Sequence, residues 1–270
     1  GGGGGGGGYQ AASGFSNTYK LRGGGGARFV DLLDAVSAAA PQVRVRFTSP
    51  HPKDFPRQVL ELIAERPNIC KQLHMPVQSG SSSVLERMRR GYTREAYLSL
   101  IQEARALMPG LAITTDVISG FCGETDDEHR DTVSLMNEVG YDQAFMFAYS
   151  ERTRTHAHHA MADDVPEDVK LLRLQEVNTA FRAQLVAKAP LLQGTEQTVL
   201  VEGASKRSTT AKPQLCGRSD AGKVCVWEPA EVRGEGGEMV MPKVGDYVRA
   251  EVVDAQVATL HVRPIEITRL

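Results

Sequence analysis

The sequence predicts an α/β fold followed by a small all-β barrel, and three observations carry that expectation. Between Ala27 and Tyr149, stretches with apolar residues at helical spacing alternate with short strand-like runs, as a parallel sheet with crossover helices requires. The strand-like runs end in small polar residues, which is where open α/β sheets and (β/α) barrels place their ligands. After Pro190-Leu-Leu-Gln-Gly194 the helical periodicity stops, and short alternating runs between Gly, Pro and Asp turns replace it.

Composition narrows the classes. The chain has 270 residues, 41% hydrophobic and 24% charged, enough to bury a core in one or two domains. Its formal net charge of −2 excludes a polycationic surface, so any nucleic-acid site must be a local patch. No apolar run is long enough to span a bilayer, and the glycine-rich start lacks a basic-then-apolar secretory pattern. The expectation is an intracellular protein, mitochondrial or cytosolic, without a membrane partner. Cys70, Cys122, Cys216 and Cys225 show no metal-ligand spacing and read as reduced structural thiols.

Residues 1–26 hold two glycine runs, and such sequence is expected to be disordered, because burial cannot offset its ordering entropy. An α/β unit is expected over 27–190. Phe29, Leu32, Leu33 and Val36 predict a helix that Pro41 stops, ahead of a strand at 43–48. A proline-punctuated loop leads to a helix at 57–66 and a strand at 69–77, which Gln78-Ser79-Gly80 turns. Ser83 with Glu86 has the pattern of a capping box for the next helix, and Gly91 closes it. Thr93 caps another helix carrying Tyr97, Leu100, Ile101, Ala104 and Leu107, and Pro109-Gly110 ends it. A strand at 112–119 contains Asp116; Thr125 and Glu128 form a second capping box for a helix to about Val139, before a strand at 143–149. A linker carries His156, His158 and His159, read as a solvated segment, and a helix at 166–189 presents Leu174, Val177, Phe181 and Leu185 to the preceding unit. The all-β part is expected over 191–270, with strands at 195–202, 215–219, 224–227, 247–254 and 259–262 in a five-stranded barrel of oligonucleotide-binding type.

The run from His74-Met-Pro-Val-Gln-Ser-Gly80 to Tyr97 resembles the signature of MiaB-type tRNA methylthiotransferases, which are radical S-adenosylmethionine enzymes. Further segments are similar to the same family: Arg46 to Phe55, Thr115-Asp-Val-Ile-Ser-Gly-Phe-Cys-Gly-Glu124, Tyr149 to Thr155 and Asp164 to Lys170. Cys122 between Phe121 and Gly123, and Gly14 to Lys20, resemble the eukaryotic branch, which includes the cyclin-dependent-kinase regulatory-subunit-associated methylthiotransferase.

This resemblance implies a partial (β/α) radical-SAM barrel followed by a TRAM RNA-binding barrel. It implies that strand ends line an S-adenosylmethionine pocket, with Ser49, Gln78, Ser79, Asp116, Gly120, Glu124 and Arg152 as the candidate contacts. Hydroxyl, amide and carboxylate groups there suit ribose and amino-acid moieties, and Arg152 can grip a carboxylate. Each has a plainer role available: Asp116 fixing a loop, Glu124 serving a helix N-terminus, Gly120 supplying backbone freedom. The resemblance also implies tRNA as partner, with Lys206, Arg207, Arg218 and Lys223 in or beside the loops of the TRAM-like part as candidate phosphate contacts. Trp227 could stack a base, but core packing is the favoured expectation.

The sequence departs from the family pattern in one respect. Such enzymes hold a four-iron cluster on Cys-x-x-x-Cys-x-x-Cys, and carry a second cluster on an N-terminal domain. Neither set of cysteines is present, nor are the first two barrel strands. The expectation is the C-terminal part of an enzyme that, when complete, uses two clusters and an electron donor to add a methylthio group to C2 of N6-isopentenyladenosine. Alone, the chain is expected to be inactive. The alternative is a cluster-free tRNA- or RNA-binding or regulatory protein.

Overall fold

A computed structural model describes residues 14–15, 28–48 and 51–270. The glycine-rich start, predicted to be disordered, lies outside the described residues except for Gly14 and Phe15. The first unit runs α1 (Phe29–Ala39), α2 (Arg57–Glu65), β1 (Gln72–His74), α3 (Ser82–Arg87), α4 (Arg94–Leu107), β2 (Ala112–Ser119), α5 (Asp126–Val139), β3 (Gln143–Ala148), α6 (His156–Ala160) and α7 (Glu167–Leu192). Its strands pair in parallel in the order β1-β2-β3, with Gln72 opposite Ala112 and Thr114 opposite Gln143.

Two predicted strands are shorter than the sequence implies. The run at 43–48 contributes a single parallel bridge, Val45 to Ile69, because its neighbours turn elsewhere: the Arg44 N–H donates to the Tyr247 hydroxyl at 3.1 Å. The run at 69–77 is reduced to Gln72–His74 because Pro76 has no N–H for the ladder; pairing resumes only where Gln78 bridges Val117.

One sheet face is covered by helices. Leu73, Met75, Ile113 and Val117 pack there with Leu60, Ile63, Tyr97, Leu100, Leu135 and Val177, all buried. Tyr97 donates to the Met75 carbonyl at 2.9 Å and accepts from Tyr141 at 3.0 Å, so the polar tips inside this core are paired. Of the predicted caps, Thr93 accepts from the Ala96 N–H, and Thr125 with Glu128 forms the full box. The Ser83–Glu86 box does not form. Ser81 is the N-cap of α3, so Ser83 already lies inside the helix, and its hydroxyl turns to Glu128. The linker after β3 is not featureless: Thr155 caps the short α6, and His158 pairs with Glu151 at 3.1 Å.

The second unit comprises β4 (Glu196–Ala204), β5 (Leu215–Ser219), β6 (Val224–Trp227), β7 (Val232–Arg233), β8 (Met239–Val240), β9 (Tyr247–Ala255) and β10 (Thr259–Thr268). The order β6-β5-β4-β9-β10 closes on itself because β10 also pairs with β6, giving a five-stranded barrel with β7 and β8 as an added hairpin. Val199, Val201, Cys225, Trp227, Val248, Val252 and Leu260 fill it. Trp227 is therefore core, as expected. Gly217 is required for close approach, since a Cβ there would stand 2.2 Å from the Leu200 carbonyl oxygen.

The barrel docks under the N-terminal ends of the sheet strands through its β5–β6 turn. Arg46 donates to the Ser219 and Asp220 carbonyls, and the Lys71 N–H donates to the Asp220 carboxylate at 2.8 Å. Arg44 lies over the Tyr247 ring and donates to the Arg218 carbonyl.

Candidate functional site at the strand ends and open sheet face

Strand alternation sends Gln72 and His74, Thr114, Asp116 and Ile118, and Gln143, Phe145 and Phe147 to the face away from the helices. Phe145 and Phe147 stay 45% and 54% exposed, although both are large and apolar, so the part of this face away from the barrel has no protein cover among the described residues. It bounds a cavity of about 460 Å³ walled by Arg46, Gln72, His74, Asp116 and Phe145 and closed below by Arg218 and Gly222 of the barrel. His74 is fixed there, its Nδ1 2.8 Å from the Thr114 hydroxyl and its Nε2 3.4 Å from the Asp116 carboxylate.

A second cavity, about 300 Å³, opens at the C-terminal ends of the strands. Gln78, Arg152, Ile118, Phe121, Tyr149 and His156 are among its walls. Ile118 follows Asp116 on the same side of β2, so the two cavities lie along one face. Gln78 adopts φ 74, a left-handed conformation costly for a non-glycine residue, and is held in it by the sheet: its N–H donates to Asp116 and its carbonyl accepts from Ile118. Arg152 is exposed, and its guanidinium has no carboxylate partner among the described residues.

Of the candidate cofactor contacts, the structure brings Gln78 and Arg152 together, with Asp116 one step along the same face. Ser79 and Glu124 point into the protein. The buried Ser79 hydroxyl lies 3.2 Å from the Thr132 hydroxyl and accepts from the Ser81 N–H. The buried Glu124 accepts from the Gly120 N–H at 2.7 Å and from Arg173 at 3.2 Å. Burial raises the Glu124 pKa, with the Gly120 N–H and Arg173 opposing that rise. Gly120 has φ 77, and a Cβ on it would come 2.3 Å from Lys170 Cγ, so glycine is needed both for conformation and for space. Ser49 lies outside the described residues.

Sequence reasoning missed the aromatic wall of Phe121 and Tyr149, whose rings meet edge to face at 5.0 Å. It also missed the His74–Asp116 pair, although His74 and Asp116 each sit at the outward phase of their strands. His51, between two prolines, is held neutral: burial, then Arg90 and Lys53, lower its pKa to about 4.

The candidate RNA contacts divide. Lys206 and Arg207 lie in the exposed β4–β5 loop; Arg218 and Lys223 lie at the other end of β5, against the α/β unit. Arg218 pairs with Glu202 at 3.3 Å and donates to the Gly222 carbonyl.

The cavity at the strand ends fits S-adenosylmethionine in kind. An unpaired guanidinium suits its carboxylate, the Gln78 amide its polar atoms, and Phe121 with Tyr149 an apolar surface for its adenine, in a volume at the low end for ligand sites. An iron–sulfur cluster does not fit the residues present. Cys122 and Cys225 pack in different apolar clusters, Cys70 is buried as well, and burial raises the thiol pKa of Cys70 to about 11 and of Cys225 to about 12. Among the described residues no cluster of His, Cys, Asp and Glu could hold a metal ion.

Parallel strands with an uncovered inner face accompany a match of residues 19–136 to the profile of the Radical SAM superfamily, which sets the class: a partial (β/α) domain of radical-SAM type. The similarity to individual proteins is closer. The chain is 53% identical over 249 residues to the mitochondrial tRNA methylthiotransferase CDK5RAP1 of Mus musculus, covering 92% of this chain and 42% of that one. It is 47% identical to a CDK5RAP1-like protein of Oryza sativa, over 93% of this chain and 42% of the other. With a tRNA-2-methylthio-N(6)-dimethylallyladenosine synthase of Bacteroides fragilis it shares 43% identity, over 90% of this chain and 51% of that one. Over the length compared, the chain is similar to MiaB-type tRNA methylthiotransferases, CDK5RAP1 and its plant counterpart among them. It spans about half the length of these relatives or less, 42% to 51%. Among solved structures, the radical-SAM coproporphyrinogen III oxidase of Escherichia coli is a distant likeness, at TM-score 0.43 and 17% identity over 74% of this chain and 45% of that one.

Proposed function

We propose that this chain is the cofactor- and RNA-holding part of a tRNA methylthiotransferase whose complete form adds a methylthio group to C2 of N6-isopentenyladenosine. The observation that carries the reading is the cavity shared by Gln78 and Arg152 at the ends of parallel strands, in a chain 53% identical to a protein named a tRNA methylthiotransferase and 43% identical to one named a tRNA-2-methylthio-N(6)-dimethylallyladenosine synthase. S-adenosylmethionine, when bound, supplies radical chemistry. Arg152 would pair with its carboxylate, Gln78 would orient it, and Phe121 and Tyr149 would keep water from its base. Below it, His74 holds the Asp116 carboxylate on the face where a substrate base would lie beside Phe145.

The C-terminal barrel, read as a TRAM-type RNA-binding module, would hold tRNA through Lys206 and Arg207 on its free loop. The clusters and their electron donor belong to the complete enzyme, and the name of its mammalian relatives supports a mitochondrial setting. Two binding measurements test the reading on the chain itself. Calorimetry should detect S-adenosylmethionine binding, and gel-shift titration should detect salt-sensitive binding of an anticodon stem-loop. Failure of both removes it.

A further inference from the structure

Where the barrel meets the α/β unit there is a cleft of about 400 Å³ outside the site described above. Its charged wall comes from three elements distant in sequence: Arg105 at the end of α4, Lys188 near the end of α7, and Lys223 on the β5–β6 turn, with Asp142 as the one carboxylate lining it. That carboxylate is already engaged. It accepts from the Ile113 N–H at 2.9 Å and lies 3.5 Å from Lys188.

Arg105 and Lys188 have a plainer role as well. Arg105 donates to the Val139 carbonyl at 2.7 Å and Lys188 to the Gly140 carbonyl, so both cap the C-terminal end of α5. Lys223 has no such role. Its ammonium has no carboxylate or carbonyl partner among the described residues, yet its backbone is fixed, the N–H donating to the Ser219 hydroxyl and the carbonyl accepting from the Ser219 N–H. A cation on a fixed backbone thus lies in the same wall as two others, with Asp142, already engaged, as the one carboxylate among them. Burial lowers the Lys188 pKa, with Arg105 and Lys223 adding to the effect against Asp142, as expected where positive charge is in excess.

Apart from Gln256, the rest of the wall is mostly apolar, including Leu111, Leu185, Leu192 and Val257. A free inorganic anion has no use for such a surface; a nucleotide, with sugar and base beside its phosphate, does. The cleft also adjoins a second one of about 330 Å³, with which it shares Asp142, Leu185, Lys223 and Val257. That second cleft holds Gln72, Thr114, Gln143 and Arg218, which also wall the cavity on the open sheet face.

We infer that Arg105, Lys188 and Lys223 form a phosphodiester-binding site that anchors an RNA strand at the junction of the two units, with the strand continuing toward the open sheet face. The inference deepens the RNA-binding reading and rests on it. Lys223 then acts with the α/β unit and not with Lys206 and Arg207 at the far end of the barrel.

The test is fluorescence anisotropy of a labelled anticodon stem-loop RNA with the full chain, its Lys223→Gln variant and a Lys206→Gln/Arg207→Gln variant, over a range of salt. Lys223 is partnerless, so its substitution should leave the melting temperature unchanged. Lys223→Gln is expected to weaken binding about three- to tenfold and to lower the slope of log affinity against log salt by about one phosphate contact. Arg105→Gln should act in the same direction, and the two together should not add fully. Wild-type affinity and slope in Lys223→Gln overturn the inference, and if the Lys206/Arg207 variant still loses binding, the RNA-binding reading survives without it. A wild-type chain that ignores RNA but is stabilised by inorganic phosphate, with Lys223→Gln indifferent to it, overturns the RNA assignment and the reading beneath it together. If neither RNA nor phosphate has an effect, the inference is overturned, and Arg105 and Lys188 serve only to cap α5.

Discussion

The two ends of the parallel sheet differ in how their polar groups are used. At the N-terminal ends most of the groups, Lys223 apart, are spent on structure: Arg44, Arg46 and Lys71 are matched to Asp220 and neighbouring carbonyls, and Asp142 to Ile113 and Lys188. At the C-terminal ends Gln78 and Arg152 face a cavity with no partner for their side chains among the described residues, and the described non-glycine residues with positive φ, Gln78, Arg89 and Arg154, lie in the segments around that end. Strain and unpaired polarity at that end are what the proposed cofactor site would need. The other end mainly joins the two units.

The comparison breaks most visibly at Gly120. Gly120→Val places a β-branched residue at φ 77 with its Cβ against Lys170, and should cost about 3 kcal/mol, read from the urea midpoint. Acid should loosen the same end. Glu128 joins α5 to Arg87 and Ser83, and hydrogen bonds to Arg87 above all hold its pKa near 2, below the ordinary 4.5. Because the folded pKa is the lower, the stabilisation is full above about pH 4.5 and is lost as pH falls toward 2, on the order of 2 kcal/mol in all. Wild type should therefore lose stability over that window relative to Glu128→Gln. Glu124, whose pKa burial raises, pulls the other way, which is why the variant difference is the quantity to measure.

At the opposite end, Asp220→Ala should cost about 1 kcal/mol and speed hydrogen exchange of the Lys71 amide, with no effect on cofactor affinity. An equal loss of cofactor affinity would show that the two ends are not separable.

Legibility from the sequence followed the range of the interactions. The strand Ala112–Ser119 and the Thr125–Glu128 box are written in adjacent residues, and both appear as read. The pairing of Glu124 with Arg173 joins positions 49 apart and has no local signature. Ser83 misled because two other serines precede it, and the cap fell to Ser81. The β7–β8 hairpin escaped because its strands are two residues each. Lys223 was read with the barrel loops because sequence places it there; only the docking of the turn shows that it faces the other unit.

The most direct test of the central claim, that neighbouring strand ends converge on one cofactor cavity, is calorimetric titration of S-adenosylmethionine into the chain and into Gln78→Ala and Arg152→Gln. Binding by the wild type, weakened about tenfold by either substitution with melting unchanged, is the predicted result. Equal affinity in all three, or none in the wild type, would contradict it.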